Sequence, residues 1–186
     1  LELLKREKDL RPISSFSMNL DNLLDGGVFT NNGIVEFVGM PGAGKTQVCM
    51  QLCASVQIPE ALGGLGGSAL FLDTEGSFMG ERFHQICESL NAHLHNVSGT
   101  TPAHQNENIQ NDSDEPKSKK QKLTQNNVIP TTDQLMQNVY VFRLFDVHEQ
   151  LGVIMKLEEL IEQSMKKNKK KIKLIVVDSM AFLFRH

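Results

Sequence analysis

Apolar positions along the chain fall into short unbroken runs and longer stretches of helical period. Ile34 to Val38 (IVEFV) is a short β-prone run leading into glycine-rich GMPGAGKT, and from Lys45 to about Val56 apolar residues recur at helical spacing. Proline and glycine in IPEALGGLGG break that helix before a second strand, Ala69 to Leu72, reaches Asp73. Glu81 to Leu94 reads as a helix with Phe83, Ile86, Cys87 and Leu90 on one face. Val139 to Phe142 restarts the β character. Asp146, with Glu149 three residues on, is an acidic version of the capping box. Val147, Leu151, Ile154, Met155, Leu157, Ile161 and Met165 then trace the buried stripe of one long helix ending in lysines, whose charge suits a helix C-terminus. A last apolar run, in KIKLIVVDSMAFLFRH, stops at Asp178. Strands alternating with helices predict crossover connections and a parallel sheet.

From His95 to about Asp133 the pattern dissolves into Asn, Gln, Ser, Thr, Asp and Lys, with too few large apolar residues to offset the entropy of ordering. The chain therefore divides into residues 1–28 leading into a core, 29–94 as the first part of that core, 95–133 as a disordered surface insertion, and 134–186 as the second part. At 186 residues and 40% hydrophobic content it suits about one domain. A net charge of −3 excludes a polybasic nucleic-acid binder, so any such contact must be local or lie outside the chain. Three cysteines, Cys49, Cys53 and Cys87, form no CxxC and read as reduced, buried thiols of an intracellular protein. Cys49 and Cys53 lie one helical turn apart, but two further ligands for a metal are not in sight. No stretch approaches the length of about eighteen apolar residues that a membrane span needs.

Gly39, Met40, Pro41, Gly42, Ala43, Gly44, Lys45 and Thr46 fit G-x-x-x-x-G-K-[ST] at every fixed position. Phosphate oxygens need several N–H donors converging on them, which a chain free of bulky Cβ atoms supplies, and the following helix adds the positive end of its dipole. Lys45 would reach the β- and γ-phosphates of a nucleotide, and Thr46 would offer its hydroxyl to Mg²⁺. A strand before the motif and a helix after it are the context that separates a P-loop from an ordinary glycine turn. With that loop upstream, Asp178 at a strand end reads as the acid that holds Mg²⁺ beside Thr46; the plain alternative is a helix N-cap. FLDTEGSF ends a second strand in Asp73 and Glu75, where a carboxylate could polarise an attacking water or simply be a solvated loop acid.

The P-loop, the strand ending in DTEGSF, the YVFR strand and LIVVD, in that order, resemble the ATPase core of the RecA-type recombinases, particularly their eukaryotic and archaeal branch. SFSMNLDNLLDGGV is similar to the segment preceding the first strand in that branch, and QLCASVQIPEALGG, DTEGSFM and AFLFRH are most similar to its C-type paralogues. The resemblance covers residues 13–94 and 137–186. It implies an α/β P-loop NTPase of RecA type, with a mostly parallel sheet flanked by helices, truncated after the Walker B strand. It assigns Glu75 the water-activating role, Asp178 the magnesium role, and Arg82 a stack on adenine, where the plain alternative is a solvated first-turn residue. ATP and Mg²⁺ are the implied cofactors. It further implies a DNA-stimulated ATPase subunit in homologous recombination and double-strand break repair, hetero-oligomeric with related paralogues. Single-stranded or branched DNA would be met through regions mostly outside this chain, in the nucleus with some cytoplasmic pool.

Lys117, Lys119, Lys120 and Lys122 in PKSKKQKL suit a nuclear import signal, a phosphate contact or a solvated charge run, and Lys166 to Lys173 a helix cap that keeps the sheet edge soluble. An ATP-binding assembly scaffold with little hydrolysis fits the P-loop as well as an ATPase does. A small-molecule kinase is disfavoured because no lid or acceptor-binding segment is evident. In the family resembled, the strand after the Walker B acid inserts between the Walker B and P-loop strands. The chain stops before supplying it, so Ile175, Val176 and Val177 are expected at an unpaired edge, and residues 1–186 are expected to be an incomplete piece that forms no stable ATPase-competent monomer.

Overall fold

Six consecutive buried residues, Ser68–Asp73 (β1), form the middle of a three-stranded parallel sheet in the computed structural model, which describes residues 11–29, 33–99, 129–168 and 170–185. A strand covered on both faces reads as a continuous apolar run, as SALFLD does. Val139–Arg143 (β2) pairs along one side of it and Ile172–Asp178 (β3) along the other. The register sets Asp73 beside both Arg143 and Asp178, so all three strands end level at one rim.

The helices are Met18–Leu23 (α1), Lys45–Ser55 (α2), Gly80–Ser98 (α3), Thr132–Gln137 (α4), Val147–Met155 (α5) and Leu157–Asn168 (α6). On one sheet face Phe71 and Val176 pack with Met50 and Cys53 of α2, Phe83 and Leu90 of α3, and Leu135 of α4. On the other, Leu70, Leu72 and Ile172 meet Val153 of α5 and Leu157 and Ile161 of α6. The segment before the core is tied down by a bridge between Ile13 and Val28. Gly27 makes that approach possible: its φ is +131°, and a Cβ there would stand 2.6 Å from the Ile13 carbonyl oxygen. Ser14 and Ser15 donate to Asp21 at 2.7 and 2.6 Å, and the Ser15 N–H adds a third bond at 2.8 Å. Burial alone would raise the Asp21 pKa, but these donors bring it below the ordinary value.

Four expectations need correction. Ile34 to Val38 is not a strand: Ile34 is 98% and Val38 84% exposed, and the run pairs with no described backbone. A strand exists only through its ladder, and β3 likewise has no described neighbour on the side away from β1. Ile175 of β3 is exposed accordingly, while Val176 turns inward and is buried. Second, the long stripe is broken at Lys156 into α5 and α6, four residues after Gly152, a poor helix former. The polar Gln150 takes the buried position, with Leu151 and Met155 turned out. Third, Glu149 does not close a box on Asp146: its N–H donates to the Asp146 carboxylate, but its own carboxylate accepts from Phe145, one residue earlier.

Fourth, the insertion is narrower than 95–133. α3 continues through Ser98, with Leu94 and His95 buried, and Ile129 lies in the core. A capping box between Thr131 and Gln134 starts α4. PKSKKQKL falls outside the described residues. Of the second lysine cluster, Lys173 bonds the Leu65 carbonyl at 2.6 Å and reaches Glu60 at 3.3 Å, tying β3 to the segment before β1.

Cys53 and Cys87 are buried and Cys49 is partly so; all three are free thiols. Burial, reinforced by the Asp178 charge, pushes the Cys49 thiol up to about 11, and burial pushes Cys87 up to about 12. The thiolate is the nucleophile, so at pH 8 only about one Cys49 in a thousand is reactive. Iodoacetamide should therefore label Cys49 far more slowly than a free cysteine at pH 8, and faster as pH rises towards about 11; fast labelling at pH 7–8 would contradict this environment. For the core, Leu135→Ala should lower unfolding free energy in denaturant titration by about 2–5 kcal/mol, the range for emptying a buried leucine. A change within about 0.5 kcal/mol would return the site to the surface.

Candidate functional site

The glycine loop is built by two residues that only glycine fits comfortably. Gly42 and Gly44 have φ of +78° and +94°, and Gly44 is the N-cap of α2. No side chain caps α2, and its first turn holds no acid, so its leading N–H groups are left for an outside acceptor. Beside Gly42 and Gly44 the space is open, a Cβ at either meeting nothing within 4 Å. Ala43 N–H closes a turn on the Met40 carbonyl at 3.2 Å. Lys45 folds over this turn, its Nζ donating to the carbonyls of Gly39 and Met40 at 2.9 and 3.0 Å. The result is a cluster of donors with one ammonium and no anion of its own, an arrangement that takes phosphate.

Packing of α2 on the sheet then brings Thr46 to the rim, where its Oγ1 donates to Oδ2 of Asp178 at 2.6 Å. Ser77 Oγ donates to the same oxygen at 3.1 Å. Two hydroxyls and a carboxylate are hard oxygen ligands, which suit Mg²⁺, and among the described residues no three His, Cys, Asp or Glu side chains gather to cage a metal. Mg²⁺ in nucleotide sites takes one or two carboxylates, with water and phosphate completing its shell, so the donor set fits it.

Glu75 stands exposed on the loop after β1, and Ser179 Oγ donates to its Oε1 at 2.7 Å. Asp73, its neighbour at the strand end, plays a different part. Buried, it accepts the N–H groups of Gly76, Ser77 and Phe78 at 2.7, 3.1 and 3.3 Å, and Arg143 at 3.3 Å. Asp73 thus shapes the loop that carries Glu75. Arg82, on the first turn of α3, donates Nε to Gln47 at 2.8 Å and NH1 to Gln85 at 3.0 Å, which sets it beside the start of α2.

The motif residues Gly39 to Thr46, Asp178 and Glu75 therefore share one rim, Thr46 and Asp178 in direct contact, Glu75 joined to them through Ser179, and Arg82 at the margin beside Gln47. Sequence reasoning missed Asp73 as an organiser, and Thr74, Ser77, Ser179 and Gln47 altogether. The D-x-x-G-S spacing is an Asx-type turn signal that could have found Asp73 and Ser77. A groove of about 590 Å³, lined by Gln57, Pro59, Ile129 and Lys170 among others, lies at the opposite rim and holds none of these residues.

The Rad51 family profile matches residues 5–126, more than half of the chain. "DNA repair protein RAD51 homolog 3" of Cricetulus griseus is 37% identical over 186 residues, covering 100% of this chain and 44% of that protein. "DNA repair and recombination protein RadA" of Aeropyrum pernix is 33% identical over 177 residues, 95% of this chain and 41% of that protein. "DNA repair protein RAD51 homolog 3" of Dictyostelium discoideum is 32% identical over 173 residues, 93% of this chain and 39% of that protein. The chain spans less than half the length of these relatives. With a matching family profile, a P-loop opening α2 and a parallel sheet ending level at the acid-bearing rim, the chain belongs to the Rad51 family.

Proposed function

We propose that the chain is the ATP-binding part of an ATPase subunit that acts in recombination and DNA repair, together with related recombinase paralogues and in the nucleus. The observation that carries this reading is the 2.6 Å contact between Thr46 and Asp178 at the uncapped N-terminus of α2, which sets a carboxylate suited to Mg²⁺ beside a loop suited to phosphate. The names of the relatives supply the recombination and repair context. Related paralogues and DNA would be met by the whole protein.

In this reading the α2 N–H groups and Lys45 bind the phosphates, Lys45 exchanging its two loop carbonyls for β/γ-phosphate oxygens. Thr46 and Asp178 hold Mg²⁺, with Ser77 bonded to the same carboxylate. When bound, Mg²⁺ neutralises charge on the phosphates. Glu75 orients water for attack on the γ-phosphate and accepts its proton. Arg82 lies against the adenine.

The test is calorimetric ATP titration and turnover of the intact protein, with and without single-stranded DNA. Loss of the Lys45 ammonium removes a charge-assisted contact of about 1.5–3 kcal/mol, so Lys45→Ala should weaken ATP binding about 10- to 100-fold. Unchanged affinity would remove Lys45 from the site. Glu75→Gln should keep ATP bound and slow hydrolysis by about 10²-fold or more. Tight binding with equal, minimal turnover in both proteins would instead support a scaffold that uses ATP structurally.

A further inference from the structure

An exposed glutamate has three side-chain torsions and samples many positions unless something holds it. For Glu75 the contact on hand is the Ser179 hydroxyl, 2.7 Å from Oε1. That hydroxyl is itself well fixed. Ser179 N–H donates to Thr74 Oγ1 at 2.8 Å, and Thr74 Oγ1 donates to the Ser179 carbonyl at 2.8 Å, so both backbone groups of Ser179 are clamped by the residue preceding Glu75. Gln150, buried beneath, donates to the Met180 carbonyl at 3.3 Å and steadies the next residue. Ser179 also directly follows Asp178, whose carboxylate receives Thr46. The covalent step from Asp178 to Ser179 therefore completes a continuous path from the glycine loop to Glu75.

We propose that Ser179 is a positioning residue, whose hydroxyl aims the Glu75 carboxylate and ties its place to that of Asp178. This rests on the reading of Glu75 as the group that orients water. The backbone clamp and the side-chain contact are separable, because Thr74 bonds only the main chain of Ser179. Removing the hydroxyl leaves the clamp in place, so Ser179→Ala should fold and bind nucleotide while Glu75 loses its aim. A misplaced catalytic group lowers turnover far more than binding.

In the intact protein, Ser179→Ala should lower kcat for ATP hydrolysis about 10- to 100-fold with KM for ATP within about twofold of the parent, and Ser179→Thr, which keeps the hydroxyl, should restore most of the loss. Added to Glu75→Gln, Ser179→Ala should cost less than about twofold more, since the two residues act as a unit. In nucleotide-free protein, amide hydrogen exchange over residues 75–77 should quicken several-fold in Ser179→Ala and not in Ser179→Thr. Unchanged kcat in Ser179→Ala, or a full additional loss on top of Glu75→Gln, would overturn the proposal. So would a combined fall in thermal stability, ATP affinity and kcat that Ser179→Thr does not rescue. Equal turnover in Glu75→Gln and parent would overturn the reading of Glu75 itself, and this proposal with it.

Discussion

The hydrogen bond from Thr46 to Asp178 joins residues 132 positions apart, and it is where the glycine loop meets the sheet. The run preceding that loop, Ile34 to Val38, pairs with no backbone among the described residues. The loop is therefore fixed through α2. Burial of Met50, Leu52, Cys53 and Val56 stabilises the packing of α2 by several kcal/mol, at about 1.5–3 kcal/mol for each large apolar side chain. The single charge-assisted bond contributes about 1.5–3 kcal/mol. Packing decides where the helix lies, and the bond to Asp178 decides how far its first turn advances over the rim.

That rim works because three parallel strands end in register. Asp73 and Asp178 are opposite one another on neighbouring strands, yet their surroundings divide their tasks. Asp73 is surrounded by three backbone N–H groups and an arginine, and so is consumed in shaping its loop. Among the described residues the Asp178 carboxylate receives only hydroxyls, from Thr46 and Ser77, and these can turn towards a cation. Two acids of one type thus become a loop organiser and a carboxylate bonded by hydroxyls alone among the described residues, through their neighbours.

The features legible in the sequence were those carried by local pattern. The glycine spacing, the helix from Lys45, the apolar run to Asp73 and the acid at Asp178 all appear where the pattern put them, because each depends on residues close in the chain. What failed depended on distant partners. IVEFV has strand composition but no described neighbour to pair with. Gln150 has no apolar signal, and its burial follows from the Met180 carbonyl thirty residues on. The polar composition before Asp133 concealed Ile129, an apolar residue that the core of α2 and α3 takes in. The link from Ser179 to Glu75 was equally hidden, since it is made by two loops on different strands.

The central claim is that Thr46 and Asp178 together form a magnesium-dependent phosphate site. Its most direct measurement is the thermal stabilisation of the intact protein by ATP, with and without Mg²⁺, in the parent and in Asp178→Asn. ATP should raise Tm most when Mg²⁺ is present in the parent, and Asp178→Asn should lose that Mg²⁺-dependent increment while keeping the part that ATP gives alone. The same Mg²⁺-dependent increment in both proteins would contradict the claim.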